Sequence, residues 1–194
     1  MTTSPSPAGV YLALGDSMSI DDYTGVPGGG AVAQFFRTLP KGWSLDDHTL
    51  DGCMIPQVPR DRTGHIITLT IGGNDALSRY EELRDRGVAA LVADHYDLLA
   101  ALRRANPESC LIVGTIYEPQ MILPDDLIRA LWALNDGMRA NIRRVDGCIA
   151  EIHGAFRDHE DEYLCQDIEP SLAGASVIAR LFAEQWQAWR QAAE

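Results

Sequence analysis

The chain has 194 residues, enough for one domain with a sizeable buried core. A hydrophobic fraction of 46% and a charged fraction of 23% exclude a disordered chain, a collagen-like repeat and a disulfide-dense miniprotein. With 16 basic and 28 acidic residues the formal charge is −12, which argues against nucleic acid and anionic membranes as partners, and no apolar run is long enough to span a bilayer.

Residues 1–8 are polar and read as a flexible lead, without the basic and apolar regions of a secretory signal. The expectation is therefore a cytoplasmic protein, with residues 9–194 forming one domain. Residues 10–14 (VYLAL) form a short apolar run that stops at Gly15-Asp16-Ser17. A glycine-rich loop follows, and then Val32, Phe35, Phe36 and Leu39 recur at helical spacing. Residues 44–50 give a second, weaker strand pattern. Residues 65–71 (HIITLTI) are rich in β-branched side chains and end at Gly72-Gly73, the pattern of a buried strand.

Val88, Leu91, Val92, His95, Leu98, Leu99 and Leu102 make a long helical stripe. Residues 110–113 form another buried strand. Pro124-Asp125-Asp126 then opens a helix with stripe Leu127, Leu131, Leu134, Met138, Ile142 and Val145, its acidic residues placed where a helix N-terminus favours them. Residues 148–152 are a fifth strand candidate, and Ile178, Leu181, Phe182, Trp186 and Trp189 mark a closing amphipathic helix. Strands alternating with helices imply a parallel sheet covered on both faces, with any site beyond the carboxyl ends of the strands.

Three of those ends carry Gly15-Asp16-Ser17-Met18, Asp51-Gly52-Cys53 and Gly72-Gly73-Asn74-Asp75. A serine at a strand-to-helix turn is exposed as a nucleophile. A glycine lets its backbone N–H approach a reacting oxygen closely, and an asparagine amide adds another donor. Serine plus convergent donors is the logic of acyl transfer through an oxyanion hole.

In this order and combination, GDS, an isolated glycine and GxND resemble the SGNH, or GDSL, hydrolase family over nearly the whole chain; Thr115-Ile116-Tyr117-Glu118-Pro119 adds to the likeness. The resemblance implies an α/β, flavodoxin-like three-layer sandwich with a five-stranded parallel sheet in the order 2-1-3-4-5. It implies Ser17 as nucleophile and an oxyanion hole made from the backbone N–H groups of Ser17 and Gly52 and the side chain of Asn74. It implies no cofactor.

The family's Asp-x-x-His block before the last helix is missing. Here the segment reads Gln166-Asp167-Ile168-Glu169-Pro170-Ser171-Leu172-Ala173-Gly174. The proline and glycine align Glu169 with the family's histidine and Gln166 with its aspartate, leaving Asp167 one place out of register. Glutamate is a weaker base than imidazole and a poor acid at neutral pH. Burial would raise its pKa and restore some competence.

Of the other histidines, His153 follows the fifth strand at the sheet edge expected to hold Ser17 and is the candidate substitute base, with His159 behind it. His95 reads as a core residue, His65 sits at the wrong end of its strand, and His48 lies within the second strand. Glu151, His153, Asp158, His159 and Glu160 match no metal-ligand spacing, so no metal is expected. Gly28-Gly29-Gly30 lacks the ending and the preceding strand of a phosphate loop. Asp16 and Asp75 read as turn or capping residues. The cysteines at 53, 110, 148 and 165 form no CxxC pair and are expected to be reduced.

The function expected is a serine esterase or acyl hydrolase acting on a small ester, an acetyl group on a carbohydrate being one candidate, with Glu169 or His153 as its atypical base. The alternative is a catalytically silent protein of the same fold that binds a ligand or partner. Oligomeric state is not legible in the sequence.

Overall fold

Strands β1 (Gly9–Gly15), β2 (Trp43–Thr49), β3 (Ile66–Thr70), β4 (Cys110–Gly114) and β5 (Cys148–Ala150) form one sheet in the order β2-β1-β3-β4-β5, every neighbouring pair parallel. The computed structural model describes residues 9–192; the expected lead over residues 1–8 lies outside them.

The pleat explains the sheet's two cores. On β1, Leu12 and Leu14 join Ile67, Leu69, Leu111 and Val113 beneath helices α4 (Ala89–Ala105) and α5 (Asp125–Arg144). Their neighbours Tyr11 and Ala13 join Ile66, Cys110 and Ile112 on the other face, covered by α1 (Ala31–Phe36) and α8 (Leu172–Ala192). Both faces are buried, so the inner strands read as runs of apolar and β-branched residues, with Thr68 and Thr70 the polar members on β3. Edge strand β2 is half-exposed and carries Asp46, Asp47 and His48, which is why its pattern is weak in the sequence. The opposite edge, β5, spans only three residues.

The fifth run is shorter than expected. Ile152 leaves the sheet and begins α6 (Ile152–Phe156), where it packs into the α1/α8 core. Helices α2 (Gly73–Ser78), α3 (Tyr80–Arg86) and α7 (Glu160–Tyr163) are too short to show a period. Residues 164–170 form a small antiparallel hairpin of β6 (Leu164–Cys165) and β7 (Glu169–Pro170). Its turn holds Gln166 and Asp167 at φ of +49° and +69°. Among the described residues no helix is long and apolar enough to cross a membrane, and all four cysteines are free thiols.

Candidate functional site

The site forms where β1 meets its following turn. Gly15 has φ +124°, and a Cβ there would overlap the Thr70 carbonyl, so only glycine lets β1 turn beside β3. The Asp16 amide donates to that carbonyl at 2.9 Å. Residues Ser17–Ser19 then form a single 3-10 turn. Asp16 caps it, accepting from the Met18 amide at 3.2 Å, and the Ser19 and Thr70 hydroxyls pair at 2.9 Å. Ser17 is thereby held at the head of the sheet with little freedom.

Two further strand ends converge on it. After β2, the turn Leu50-Asp51-Gly52-Cys53 closes through the Cys53 amide onto the Leu50 carbonyl at 3.1 Å, with Gly52 at φ +68° and open space where a Cβ would be. Leu50 donates in turn to the Gly15 carbonyl at 2.9 Å. After β3, Gly72 at φ +105° admits the tight entry to α2. Asn74 Nδ2 donates to the Cys53 carbonyl at 3.1 Å, and both Asp75 oxygens accept from the Ile55 amide at 3.1 and 3.2 Å. Asn74 and Asp75 thus lock the β2 loop onto α2. An amide nitrogen carries two hydrogens, so Asn74 keeps one for a ligand.

The fourth contribution comes from the hairpin. Glu169 is buried on β7, the strand that packs against the Ser17–Ser19 turn. Burial raises the Glu169 pKa above the ordinary carboxylate range, the Ser17 hydroxyl pulls it partly back by favouring the ionised form, and the Asp51 charge raises it further. Glu169 Oε2 is buried without a hydrogen-bond partner. Asp16, also buried, is pushed up to about 7 chiefly by desolvation; the Met18 amide and Thr70 hydroxyl oppose the shift, and the Glu169 charge adds to it. The serine therefore sits between two carboxyl groups that resist ionising together.

The hairpin turn is tied down by the β4–α5 loop. Tyr117 donates its hydroxyl to the Ile168 carbonyl at 2.6 Å, and the Gln120 amide donates to the Asp167 carbonyl at 2.7 Å. Tyr117 also stacks on Phe156, 4.8 Å between ring centroids. Gln166 and Asp167 are exposed on the turn, so neither side chain orients Glu169.

His153 faces elsewhere. Its Nε2 lies 3.3 Å from Glu118 Oε1, its amide donates to Thr115 Oγ1, and Glu118 also accepts from Trp132 Nε1 at 2.7 Å. His159 is exposed and stacks on Tyr163. Among the described residues, no histidine hydrogen-bonds Ser17. His95 is a buried core residue whose Nδ1 lies 3.3 Å from Asn141 Nδ2; burial pushes its pKa down to about 4. Glu151, another metal-type residue of that region, is paired with Arg139.

A cavity of about 360 Å³ opens from Ser17 and Asn74. Apart from Asp16, Ser17 and Asn74 its walls are almost wholly apolar, supplied by α2, α3, the first half of α5, the β4–α5 loop with Tyr117, and Ile168 of the hairpin. Nothing in the sequence separated these α5 leucines from ordinary core leucines. Tyr117 and its tie to Ile168 also escaped the sequence reading, because the two partners are 51 residues apart.

No family model matches the chain, and no curated protein matches it. Solved structures do match. A candidate GDSL-like lipase from Parabacteroides merdae superimposes with a TM-score of 0.75 at 15% identity, covering 93% of this chain and 96% of the other. A lipase from a goat rumen metagenome gives 0.75 at 18%, covering 91% and 96%. An acetylxylan esterase from Geobacillus stearothermophilus gives 0.68 at 14%, covering 93% and 94%. The chain therefore has the fold of the SGNH/GDSL hydrolases, with the expected strand order.

Proposed function

Starting from a chain with the GDSL-hydrolase fold, we propose that it is a serine ester hydrolase in which Ser17 is the nucleophile and Glu169 the general base. The observation that carries this reading is the buried Glu169 carboxyl on β7, packed against the turn that holds Ser17. Desolvation raises the basicity of that carboxylate, and it also makes the protonated form a usable acid nearer neutral pH.

The chemistry follows in two halves. Ser17 Oγ bonds to the ester carbonyl carbon as its proton passes to Glu169. The oxyanion accepts hydrogen bonds from the Ser17 and Gly52 amides and from Asn74 Nδ2. Collapse breaks the bond to the alkoxide, which leaves with the proton from Glu169. Water then repeats the sequence on the acyl-enzyme and frees the acid. A small ester fits this scheme, in keeping with the esterases and lipases that share the fold. His153 is the second candidate base; to serve, it has to leave Glu118.

A silent binding protein is the other reading. The unpartnered Glu169 Oε2 favours it, since a negative charge beside a forming oxyanion opposes acyl transfer. A fluorophosphonate probe read by intact mass separates the two. The hydrolase predicts one adduct on the native chain and none on Ser17→Ala, slow labelling of Glu169→Gln and near-native labelling of His153→Ala. If the native chain takes no adduct and Ser17→Ala leaves ester turnover unchanged, the binding reading stands.

A further inference from the structure

The cavity beside Ser17 is chemically lopsided. Its charged and amide groups, Asp16 and Asn74, lie with Ser17, and the remainder is lined by Leu77, Leu83, Leu127, Leu131 and Leu134, with Tyr80 and Tyr117 the other residues that carry a hydroxyl. Residues 127, 131 and 134 lie on one face of α5, and Ala130 joins that face as its smallest side chain. An acetylated sugar would bring a row of hydroxyls against this wall and leave them unpaired, at a cost for each. An alkyl chain loses nothing there and gains with every methylene removed from water.

We infer that this cavity is an acyl-binding site for unbranched, uncharged aliphatic chains of medium length, with Ala130 setting its depth. The inference rests on the esterase reading for its catalytic arm. The site is continuous with Ser17, so a chain lying along α5 would deliver its carbonyl to the serine and to Asn74. Asp16 at the polar end disfavours a carboxylate, so the cavity accepts the ester and releases the free acid. Acetyl esters would leave most of the apolar wall wet.

The test is a p-nitrophenyl ester series from acetate through butyrate and octanoate to palmitate, on the native chain, Ala130→Trp, Leu127→Gln and Ser17→Ala, with circular dichroism to confirm folding. The site predicts Ser17-dependent kcat/KM at least ~10-fold higher for octanoate than for acetate, and an octanoate-to-acetate ratio that falls ~10-fold in Ala130→Trp. Leu127→Gln, which keeps the volume and adds polarity, should lower the same ratio if the tryptophan variant does not fold. Acetate turned over as well as octanoate, or a ratio unchanged in the folded variants, overturns the acyl site and leaves the hydrolase reading intact. If no ester shows Ser17-dependent turnover, the hydrolase reading fails and the cavity is read by thermal shift with octanamide against acetamide. Stabilisation by octanamide alone, lost in Ala130→Trp, keeps the acyl site; no stabilisation removes it.

Discussion

The Tyr117 hydroxyl donates to the Ile168 carbonyl across 2.6 Å, and Ile168 is the residue immediately before Glu169. A side chain on the β4–α5 loop thus fixes the backbone that carries the candidate base, doing the orienting work that Gln166 is placed too far out to do. Tyr117→Phe should keep the fold, since the ring still stacks on Phe156. It should cost about 1 kcal/mol of stability and lower kcat about 10-fold with little change in KM, because small misplacements of a catalytic group are costly. Steady-state kinetics beside a denaturation curve checks both; Tyr117 also lines the cavity, so a KM effect with kcat unchanged would assign it to substrate contact and overturn its role in positioning Glu169.

The pH profile follows from Glu169. A base works ionised, so activity should rise with pH through the Glu169 pKa and then level off. Burial lifts that pKa, and the rising limb should therefore lie above the pH of an ordinary glutamate. Glu169→Gln should cut kcat by about 10³-fold or more and erase the limb. A limb that persists in the glutamine variant assigns it to another group.

Asp16 makes a different pH prediction, about stability. Its folded pKa, about 7, exceeds the unfolded value of 3.8, so the folded state holds the proton more tightly. The resulting stabilisation is fully present below the unfolded pKa and is lost as pH rises through about 7. Asp16→Asn retains the acceptor for the Met18 amide and removes the titration. Relative to the native chain it should gain stability, on the order of 2–4 kcal/mol, between pH 4 and 8, measured by denaturant unfolding at each pH.

His95 has the opposite sign. Its folded pKa is depressed to about 4 from 6.5, so its neutral form supports the fold above the unfolded pKa, and that support fades as pH falls through the folded one. His95→Gln should flatten the loss of stability between pH 6 and 4, at the price of some packing. An unchanged acid slope would show that His95 titrates normally.

Gly174 tests how the hairpin is docked. A Cβ on it would overlap the Tyr163 carbonyl, which is backbone and has little room to yield. Gly174→Ala should therefore destabilise by about 1–3 kcal/mol and displace the segment bearing Glu169, lowering activity by more than the stability loss explains.

The sheet was legible because each inner strand is buried on both faces and prints a run of apolar and β-branched residues; residues 66–70, Thr68 and Thr70 included, are buried throughout. A turn after a parallel strand needs small or polar residues at fixed places, which is why the sequence points to Ser17, Gly52 and Asn74; Ser17 and Asn74 share one cavity, and Gly52 lies outside its lining. Pro170 and Gly174 mark the segment whose strand, carrying Glu169, packs against the Ser17 turn. The direction of His153 was not legible, because the Glu118 that holds it is 35 residues away. Nor was the cavity: Leu127, Leu131 and Leu134 make the same periodic stripe whether they meet another helix or an open space.

The two outer strands of the sheet bear on behaviour in concentrated solution. An open strand edge offers unpaired amides and carbonyls to any passing chain. Here one edge carries Asp46 and Asp47 on β2, and the other is a stub of three residues. A second molecule adding along β2 would set like charges side by side, and along β5 it would find too few rungs to hold. Fibril growth by strand addition is blocked at both ends of the ladder, so crowding should push these molecules to meet through their helices instead.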